Sequence, residues 1–342
     1  MNYTDHPEFN DYLDGKYDEV RIENFAAPAS SILFQMDNTA YIDAYNAYLA
    51  EQREEFPETV IQEFPAPIAF YFEKTLYGYE NNNQRLQLLR STWESLIYIL
   101  YAIVIGEIID KNLNLLSALR IFNNARIRLD GGNSLWSDRL GYKLEIIEKV
   151  LEYNTLNTSN LIAGEIIPIS VIEKLRELNI DRNSFSHIAA LEESQAEEIY
   201  NLLMPKVIDL LIELKKLKFI SLIQYKNNLT SINNIRFLRF DGHSLKRRNH
   251  DLTVDNNFIH KNIENLSEYR LFCEFTENSQ IICLSPFAHG SIHNDYPRIL
   301  FYKKQSDDPN FFVFEVITDR SCEIQIERTI FDKSIQALEA LL

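Results

Sequence analysis

The sequence has few cysteines and no apolar leader at its N-terminus. Its three cysteines, Cys273, Cys283 and Cys322, form no CxxC pair. The first residues, "MNYTDHPEFNDYLDG", are polar and acidic, unlike a signal or transit peptide. We therefore expect a protein of a reducing compartment, the cytoplasm, and we expect the cysteines to be core thiols.

Long apolar runs are also missing. The longest, "LIYILYAIVI" at 96–105, lies between Glu94 and Glu107. Ten residues are too few to cross a bilayer, which takes roughly 20. This run predicts a helix buried on most sides at the centre of a bundle, and no membrane partner.

Positive charge is in short supply, but the shortage is uneven. The net charge is −16, from 34 Lys and Arg against 50 Asp and Glu. Residues 1–60 hold 13 acidic and 3 basic side chains, a net of −10, which leaves −6 for the rest. Residues 218–342 are nearly balanced, with 15 basic and 16 acidic side chains. The acidic segment could shield a basic surface, bind a basic partner or keep the protein soluble, so the net charge does not exclude nucleic acid.

The apolar spacing changes near residue 219. Before it, three- and four-residue spacing predicts helices at 40–56, 85–110, 114–129, 139–154, 169–179 and 192–219. After it, short aromatic and β-branched runs predict strands at 269–275, 280–285, 298–304, 310–317 and 323–331, then a helix at 334–342. We predict an α+β protein: an acidic segment 1–60, a helical domain 61–219 and a smaller β-rich domain 220–342.

One motif near the end of the helical block has the parts of a phosphate-handling site. In "DRNSFSHIAA" (181–190), Arg182 is followed by Asn183 and, five positions on, by His187. Asn179, Asp181 or Asn183 could cap a helix start, whose free N–H groups favour an anion. An arginine fork matches a phosphate, and a histidine exchanges protons near neutral pH. These groups suffice for RNA cleavage without a metal.

The stretch "RNSFSH" resembles the Arg-x4–6-His signature of HEPN domains, in which a polar residue often follows the arginine, as Asn183 does here. The resemblance covers roughly residues 65–218. It includes the long helix around 85–110, which in many prokaryotic members carries an acid near the place of Glu94. HEPN toxins silenced by adenylylation have a tyrosine two residues after the histidine; Ala189 stands there, so that control is not expected.

The resemblance implies a helical bundle that forms a homodimer and joins two Arg/His motifs in one composite site. It implies metal-independent cleavage of RNA, tRNA or mRNA, by an effector of antiphage defence or a toxin, with no cofactor and with a possible antitoxin or defence-system partner. Arg182 would hold the scissile phosphate, and His187 would act as general acid or base. Asn183 would orient the phosphate, and Glu94 would tune His187.

Other interpretations of the motif remain open. Arg182 and His187 could cap a helix and pair with Glu192 and Glu193. The domain could be a non-catalytic HEPN module that binds a nucleotide or a protein. A third possibility is a regulator that binds DNA through its C-terminal domain.

"HGSIH" (289–293), with Cys283 and Asp295 nearby, has conceivable zinc spacing. His-x3-His usually binds zinc from one helix face, and Gly290 between strand-like flanks disfavours a helix. We interpret these histidines as loop residues at a strand connection and predict no metal site. "DGGN" (130–133) has neither the length nor the lysine of a phosphate loop and is predicted to be a turn.

A second candidate nucleic-acid surface is "RFLRFDGHSLKRRNH" (236–250). Phe237 and Phe240 lie between its basic residues, which face one acid. Cations for the backbone and aromatic rings for base stacking are typical of single-strand binding. The alternative is a solvated loop after a hydrophobic strand. The predicted RNA-binding residues are Arg236, Arg239, Lys246, Arg247 and Arg248.

Overall fold

The structure is a computed structural model. It describes residue 3 and residues 7–17, 19–22, 25–113, 135–157, 160–186, 191–231, 234–262, 270–293 and 296–340. Helices dominate the N-terminal part of the chain and antiparallel sheets the C-terminal part, so the predicted α+β class is confirmed. The helix predicted at 114–129 and the turn at 130–134 lie outside the described residues.

The chain divides into two compact units, Met1–Pro57 and Glu58–Leu342. The helices from residue 66 onwards and both large sheets belong to the second unit. The division into three domains, with boundaries after residues 60 and 219, stays a prediction.

The first unit is built around aromatic side chains. It contains α1 (Pro7–Lys16), the strands β1 (Val20–Ile22) and β2 (Phe25–Ala27), α2 (Ala29–Met36) and most of α3 (Asn38–Glu63). Phe9 and Tyr41 are almost fully buried, and their rings meet edge to face with centroids 5.1 Å apart. The Tyr41 hydroxyl donates to Oδ1 of Asn10 at 2.5 Å, which satisfies a buried polar group. The acidic segment thus has a core of its own.

Helix α5 (Asn82–Asp110) is the centre of the second unit. It contacts α4 (Ala66–Tyr77), α6 (Leu140–Asn157), α7 (Ile162–Ile166), α8 (Ile169–Ser186) and α9 (Glu193–Glu213). By length and composition α5 could cross a membrane, but 94% of its most apolar window is buried inside the protein. The prediction of a buried central helix from the run at 96–105 is confirmed.

Two antiparallel sheets follow the helices. The five-stranded sheet has the order β5-β4-β3-β6-β7, and the four-stranded sheet has the order β11-β10-β9-β8. The strands are β3 (Ile220–Ser231), β4 (Asn234–Asp241), β5 (Lys246–Thr253), β6 (Leu271–Phe275), β7 (Gln280–Cys283), β8 (Ala288–His293), β9 (Tyr296–Gln305), β10 (Phe311–Val316) and β11 (Asp319–Glu327). Helix α10 (Asn256–Asn262) follows β5, and α11 (Asp332–Ala340) ends the described chain.

A glycine allows the central helix to lie directly against the sheet. A Cβ atom built on Gly106 of α5 would lie 2.5 Å from the backbone oxygen of Cys283 and 2.9 Å from Cγ2 of Ile282, both on β7. Only a residue without a side chain fits such a close approach. Helix α5 therefore fixes the position of the helical bundle relative to the sheets.

Candidate functional site

One buried carboxylate holds two arginines. Glu94, on α5, is 1% exposed, and its Oε1 accepts a hydrogen bond from Nε of Arg90 at 2.8 Å. Nε of Arg182, on α8, lies 2.6 Å from the same oxygen. The N–H of Arg182 is not directed at this oxygen, so the contact is an ion pair without a well-formed hydrogen bond. Two guanidinium groups on one carboxylate leave a net charge of +1.

This cluster lies in a cleft between the helices and the four-stranded sheet. The cleft has a volume of about 600 Å³, within the size range of small-molecule sites. Four cations and three carboxylates are among its lining residues: Arg90, Arg139, Arg182 and Lys303 against Glu94, Asp138 and Glu315. The balance is positive, although the protein as a whole carries −16. The surplus comes from the arginines, because Glu94 alone faces both Arg90 and Arg182. These two guanidinium groups favour an anion in this cleft.

The sheet side of the cleft carries Lys303. On β9, Lys304 pairs with Val313 and Tyr302 with Phe314, so Lys303 is an extra residue at a β-bulge. Bulges change the direction of side chains. The Lys303 ammonium lies 2.7 Å from Glu323 Oε1 and 3.7 Å from Glu315 Oε2, so much of its charge is already balanced.

A buried lysine lies behind the cleft wall. Tyr98 of the wall stacks on Phe301, with ring centroids 5.1 Å apart. Nζ of Lys143 lies 5.4 Å from the Tyr98 ring centroid and 4.4 Å from that of Tyr101. Burial lowers the pKa of Lys143 to about 7, and nearby Asp138 partly opposes this shift. Near neutral pH this amine is therefore only partly charged.

The predicted helix start at the motif is wrong. The pattern predicted that a helix would end at 179, but α8 continues to Ser186, because Leu175, Leu178 and Phe185 keep the helical spacing of buried residues. Arg182 and the exposed Asn183 therefore lie in the last turns of α8. Neither residue lies in the first turn of α8, so the free N–H groups of a helix start do not face them and any phosphate would depend on side chains. His187 lies outside the described residues.

The carboxylates suggested as partners of the motif have other roles. Glu192 caps α9 through a reciprocal capping box with Gln195. Glu193 accepts hydrogen bonds from the backbone of Asn82 and the side chain of Asn83. Arg182 is paired with Glu94 instead. The alternative of an Arg182 that merely pairs with Glu192 or Glu193 is therefore not supported by its contacts.

The basic stretch 236–250 forms the hairpin of β4 and β5, with a 3₁₀ turn at 242–244. Arg236 makes a two-pronged ion pair with Asp251, at 2.7 and 2.8 Å. Arg248 and Asp241 form a similar pair, and Nε of Arg239 lies 3.9 Å from Asp241.

The other two predicted RNA-binding residues face a separate groove. Lys246 and Arg247 line it together with Arg298 of β9. Arg247 also donates to Oε1 of Gln224 at 3.4 Å.

The aromatic part of that prediction is wrong. Phe237 is fully buried and Phe240 is 4% exposed. Phe237 packs against Tyr225 and Phe272 in the core of the five-stranded sheet. Both rings serve the core, so neither can stack on a base.

His289 of "HGSIH" also differs from its prediction. It lies on β8 rather than in a loop, and it is 4% exposed. Burial, assisted by Arg270, lowers its pKa to about 3, so the ring is neutral at physiological pH. Among the described residues, no group of three or more His, Cys, Asp or Glu side chains could hold a metal.

The structure adds cleft residues that the motif did not indicate. Arg90 precedes Glu94 by four positions on one helix, and this spacing is a recognisable ion-pair signal. Arg139 and Lys303 come from other parts of the chain, and nothing in their local sequence points to a shared surface.

Comparison with protein-family models, with curated proteins and with solved structures found no match to this chain.

Proposed function

We propose that the chain is a metal-independent endoribonuclease of the HEPN type that acts in the cytoplasm as the effector of an antiphage defence or toxin–antitoxin system. One observation carries the proposal. Arg182, selected from the motif, meets Glu94, selected from a distant helix, in a cleft whose lining has more cations than carboxylates. Such a cleft suits the phosphate of an RNA chain.

The proposed reaction is an internal transfer at phosphorus. The 2′-oxygen of a ribose forms a bond to phosphorus, and the bond from phosphorus to the 5′-oxygen of the next nucleotide breaks. A base removes the 2′-hydroxyl proton and an acid gives a proton to the 5′-oxygen, so the products carry a 2′,3′-cyclic phosphate and a 5′-hydroxyl. His187 takes one of these proton-transfer roles, and Asn183 orients the phosphate.

Arg182 supplies positive charge to the phosphorane. Its contact with Glu94 is through Nε. In the proposed complex, its two Nη groups bind the phosphate. Arg90 is held through the same carboxylate oxygen. Glu94 is thus a positioning residue that places two guanidinium groups at the cleft before the substrate binds, and preorganised charge of this kind stabilises a transition state.

Exposed apolar side chains near the motif support a homodimer. Ile180 of α8 is 67% exposed and Leu202 of α9 is 63% exposed. An ion pair of 3.0 Å between Lys206 and Asp181 joins the two helices beside them. A second copy packed here would bury both side chains. The molar mass in solution tests this point: that of a monomer would contradict it, and Ile180→Asp should dissociate a dimer whereas Leu156→Asp, equally exposed on α6, should not.

The activity is tested by incubating the purified protein with total RNA and with tRNA. Arg182→Ala and His187→Ala should each lower cleavage by about 100-fold or more, whereas EDTA should have no effect. Arg176→Ala is the matched control, because Arg176 lies on the same helix and is paired with Glu148 away from the cleft. Full cleavage by both cleft variants, or a strict requirement for added Mg²⁺ or Zn²⁺, would overturn the proposal.

The alternative function is a binding module that holds a nucleotide in the same cleft without cleaving RNA. The volume of about 600 Å³ is compatible with it. It predicts nucleotide binding that Arg182→Ala weakens, with no new 2′,3′-cyclic phosphate ends in any RNA. Labelling of product ends distinguishes the two functions, because only the nuclease creates new 2′,3′-cyclic phosphate ends. A contaminating nuclease is recognised by equal cleavage in preparations of the His187→Ala variant.

A further inference from the structure

A second groove in the same unit has a positive lining. It has a volume of about 730 Å³, and its lining comes from α4, the β4–β5 hairpin, β9 and the turn after β10. Lys246, Arg247 and Arg298 are its cations. The described lining residues include no carboxylate. Three cations without an acid, in a protein of net charge −16, form a local attraction for a polyanion.

The cations of the hairpin differ in how far they are already neutralised. Arg236 and Arg248 form two-pronged ion pairs with Asp251 and Asp241. Lys246 lies opposite Asp241 in the β4–β5 ladder, but that carboxylate binds Arg248. The side chains of Lys246 and Arg298 make no ion pair with any residue that the structure describes. Lys246 of the hairpin and Arg298 of β9 are therefore the groove cations whose charge is available to a ligand.

One aromatic ring lines the groove, and a lysine ammonium lies beside that ring. Phe70 of α4 is a partly exposed lining residue. Nζ of Lys74, one turn further along α4, lies 4.7 Å from the centroid of the Phe70 ring. Cations beside an accessible ring suit a nucleic-acid strand whose bases are unstacked, because only such bases can reach a side-chain ring. The buried Phe237 and Phe240 cannot serve in this way.

We propose that this groove binds the backbone of single-stranded RNA, with Lys246, Arg247, Arg298 and Lys74 on the phosphates and Phe70 against a base. The choice of RNA rests on the proposed function. The cationic character of the groove does not depend on that function, because it follows from the residues that line the groove. Strand β9 carries both Arg298 of the groove and Lys303 of the cleft, so one strand of RNA could occupy both.

The test measures binding of a fluorescent oligouridine by the Arg182→Ala protein, which keeps the probe intact. The double variant Lys246→Gln/Arg298→Gln should bind at least tenfold more weakly. Each lost phosphate contact lowers the slope of log affinity against log salt by roughly 0.7 for a single strand, so the slope should fall by roughly 1.4. The matched control is Arg236→Gln/Asp251→Asn on the same hairpin, which removes an existing ion pair without changing the net charge and should change affinity by less than about twofold.

The outcomes separate the groove from the cleft. If the control weakens binding as much as the groove variant, or if the slope does not change, the groove proposal fails. Tighter binding of duplex DNA, or equal binding of polyglutamate with the same dependence on Lys246 and Arg298, would replace RNA by another polyanion and also overturn it. RNA cleavage is measured separately, with the wild-type protein that keeps Arg182. Binding with no cleavage would overturn the nuclease proposal and leave the groove intact.

Discussion

Nε of Arg182 lies 2.6 Å from Oε1 of Glu94, and Nε of Arg90 lies 2.8 Å from the same oxygen. The two arginines come from different helices, α8 and α5, and the carboxylate between them is 1% exposed. Each arginine side chain is about one quarter exposed. Glu94 thus lies beneath two cations that reach the cleft, and its charge determines where both guanidinium groups are held.

We therefore predict that Glu94→Gln lowers RNA cleavage by about tenfold or more and the free energy of unfolding by about 1–3 kcal/mol. The amide keeps the shape of the side chain but loses the charge that holds two guanidinium groups. Water can reach both arginines, which limits the loss of stability. Cleavage rates and urea unfolding of the same preparations measure the two effects.

Glu107→Gln is the control for this prediction. Glu107 is another buried glutamate of α5, and it accepts the backbone N–H groups of Ile162 and Ala163 at the start of α7. Its variant should lose stability but keep its cleavage rate at temperatures where it is folded. Equal rates for the two variants would show that Glu94 has only a structural role.

Lys143→Met should stabilise the protein, and the gain should shrink as the pH rises. The pKa of Lys143 is about 7 in the folded protein and 10.5 in its ordinary state. Between these values the unfolded chain binds more protons, so the penalty is complete below pH 7 and disappears as the pH approaches 10. The gain at pH 7 should be roughly 2–4 kcal/mol, since the contact with Tyr101 offsets part of the penalty.

Chemical denaturation of the wild type and the variant at several pH values measures this difference. Lys149→Met on the same helix is the comparison, because Lys149 is partly exposed and lies 3.1 Å from Glu152. Its effect should be below about 1 kcal/mol and nearly constant with pH. A constant gain for Lys143→Met would show that its amine is fully charged in the folded state.

Gly106→Ala should lower the free energy of unfolding by about 1–3 kcal/mol. The new methyl group would overlap the Cys283 carbonyl oxygen, 2.5 Å away, and a strand backbone cannot move aside as a flexible side chain can. Gly141→Ala, at the start of α6, meets nothing closer than Asn179 Nδ2 at 3.8 Å and should be neutral or stabilising by up to about 1 kcal/mol. Thermal unfolding compares the two, and the same sign for both would contradict the proposed close contact.

The sequence predicted well those helices and strands whose apolar residues recur at regular spacing. The ends of the helices predicted at 85–110 and 139–154 lie within three residues of those of α5 and α6, and the strand predicted at 310–317 overlaps β10. The strands β3, β4 and β5 were not delimited, although 236–250 was considered as a loop after a hydrophobic strand. In β4 and β5 the apolar residues are interspersed with charged and amide side chains, which weakens the strand pattern. The end of α8 was placed too early because Asn179, Asp181 and Asn183 look like caps, whereas the buried face continues to Phe185.

The sequence predicted only those parts of the candidate site that a short motif or a spacing within one helix indicates. The proximity of Glu94 and Arg182 agrees with a site shared by two helices, but the role expected for Glu94 was to tune His187, and its described partners are two arginines. The contribution of Lys303 depends on sheet register and on the bulge in β9, which residue types do not reveal. Phe237 and Phe240 are three residues apart on β4 and so face opposite sides of the sheet, and both are buried. Their burial depends on what packs against each face of the sheet, which the residue types do not reveal.

Strand β9 sets the distance between a cation of the groove and a cation of the cleft. Arg298 of the groove and Lys303 of the cleft are five residues apart on this strand, a span of roughly 16 Å. Backbone in a hydrogen-bonded sheet does not stretch, so this interval is unaffected by insertions, deletions or movements in the surrounding loops. Changes in other elements can alter the ligand that the groove or the cleft binds, but the backbone spacing between Arg298 and Lys303 stays constant.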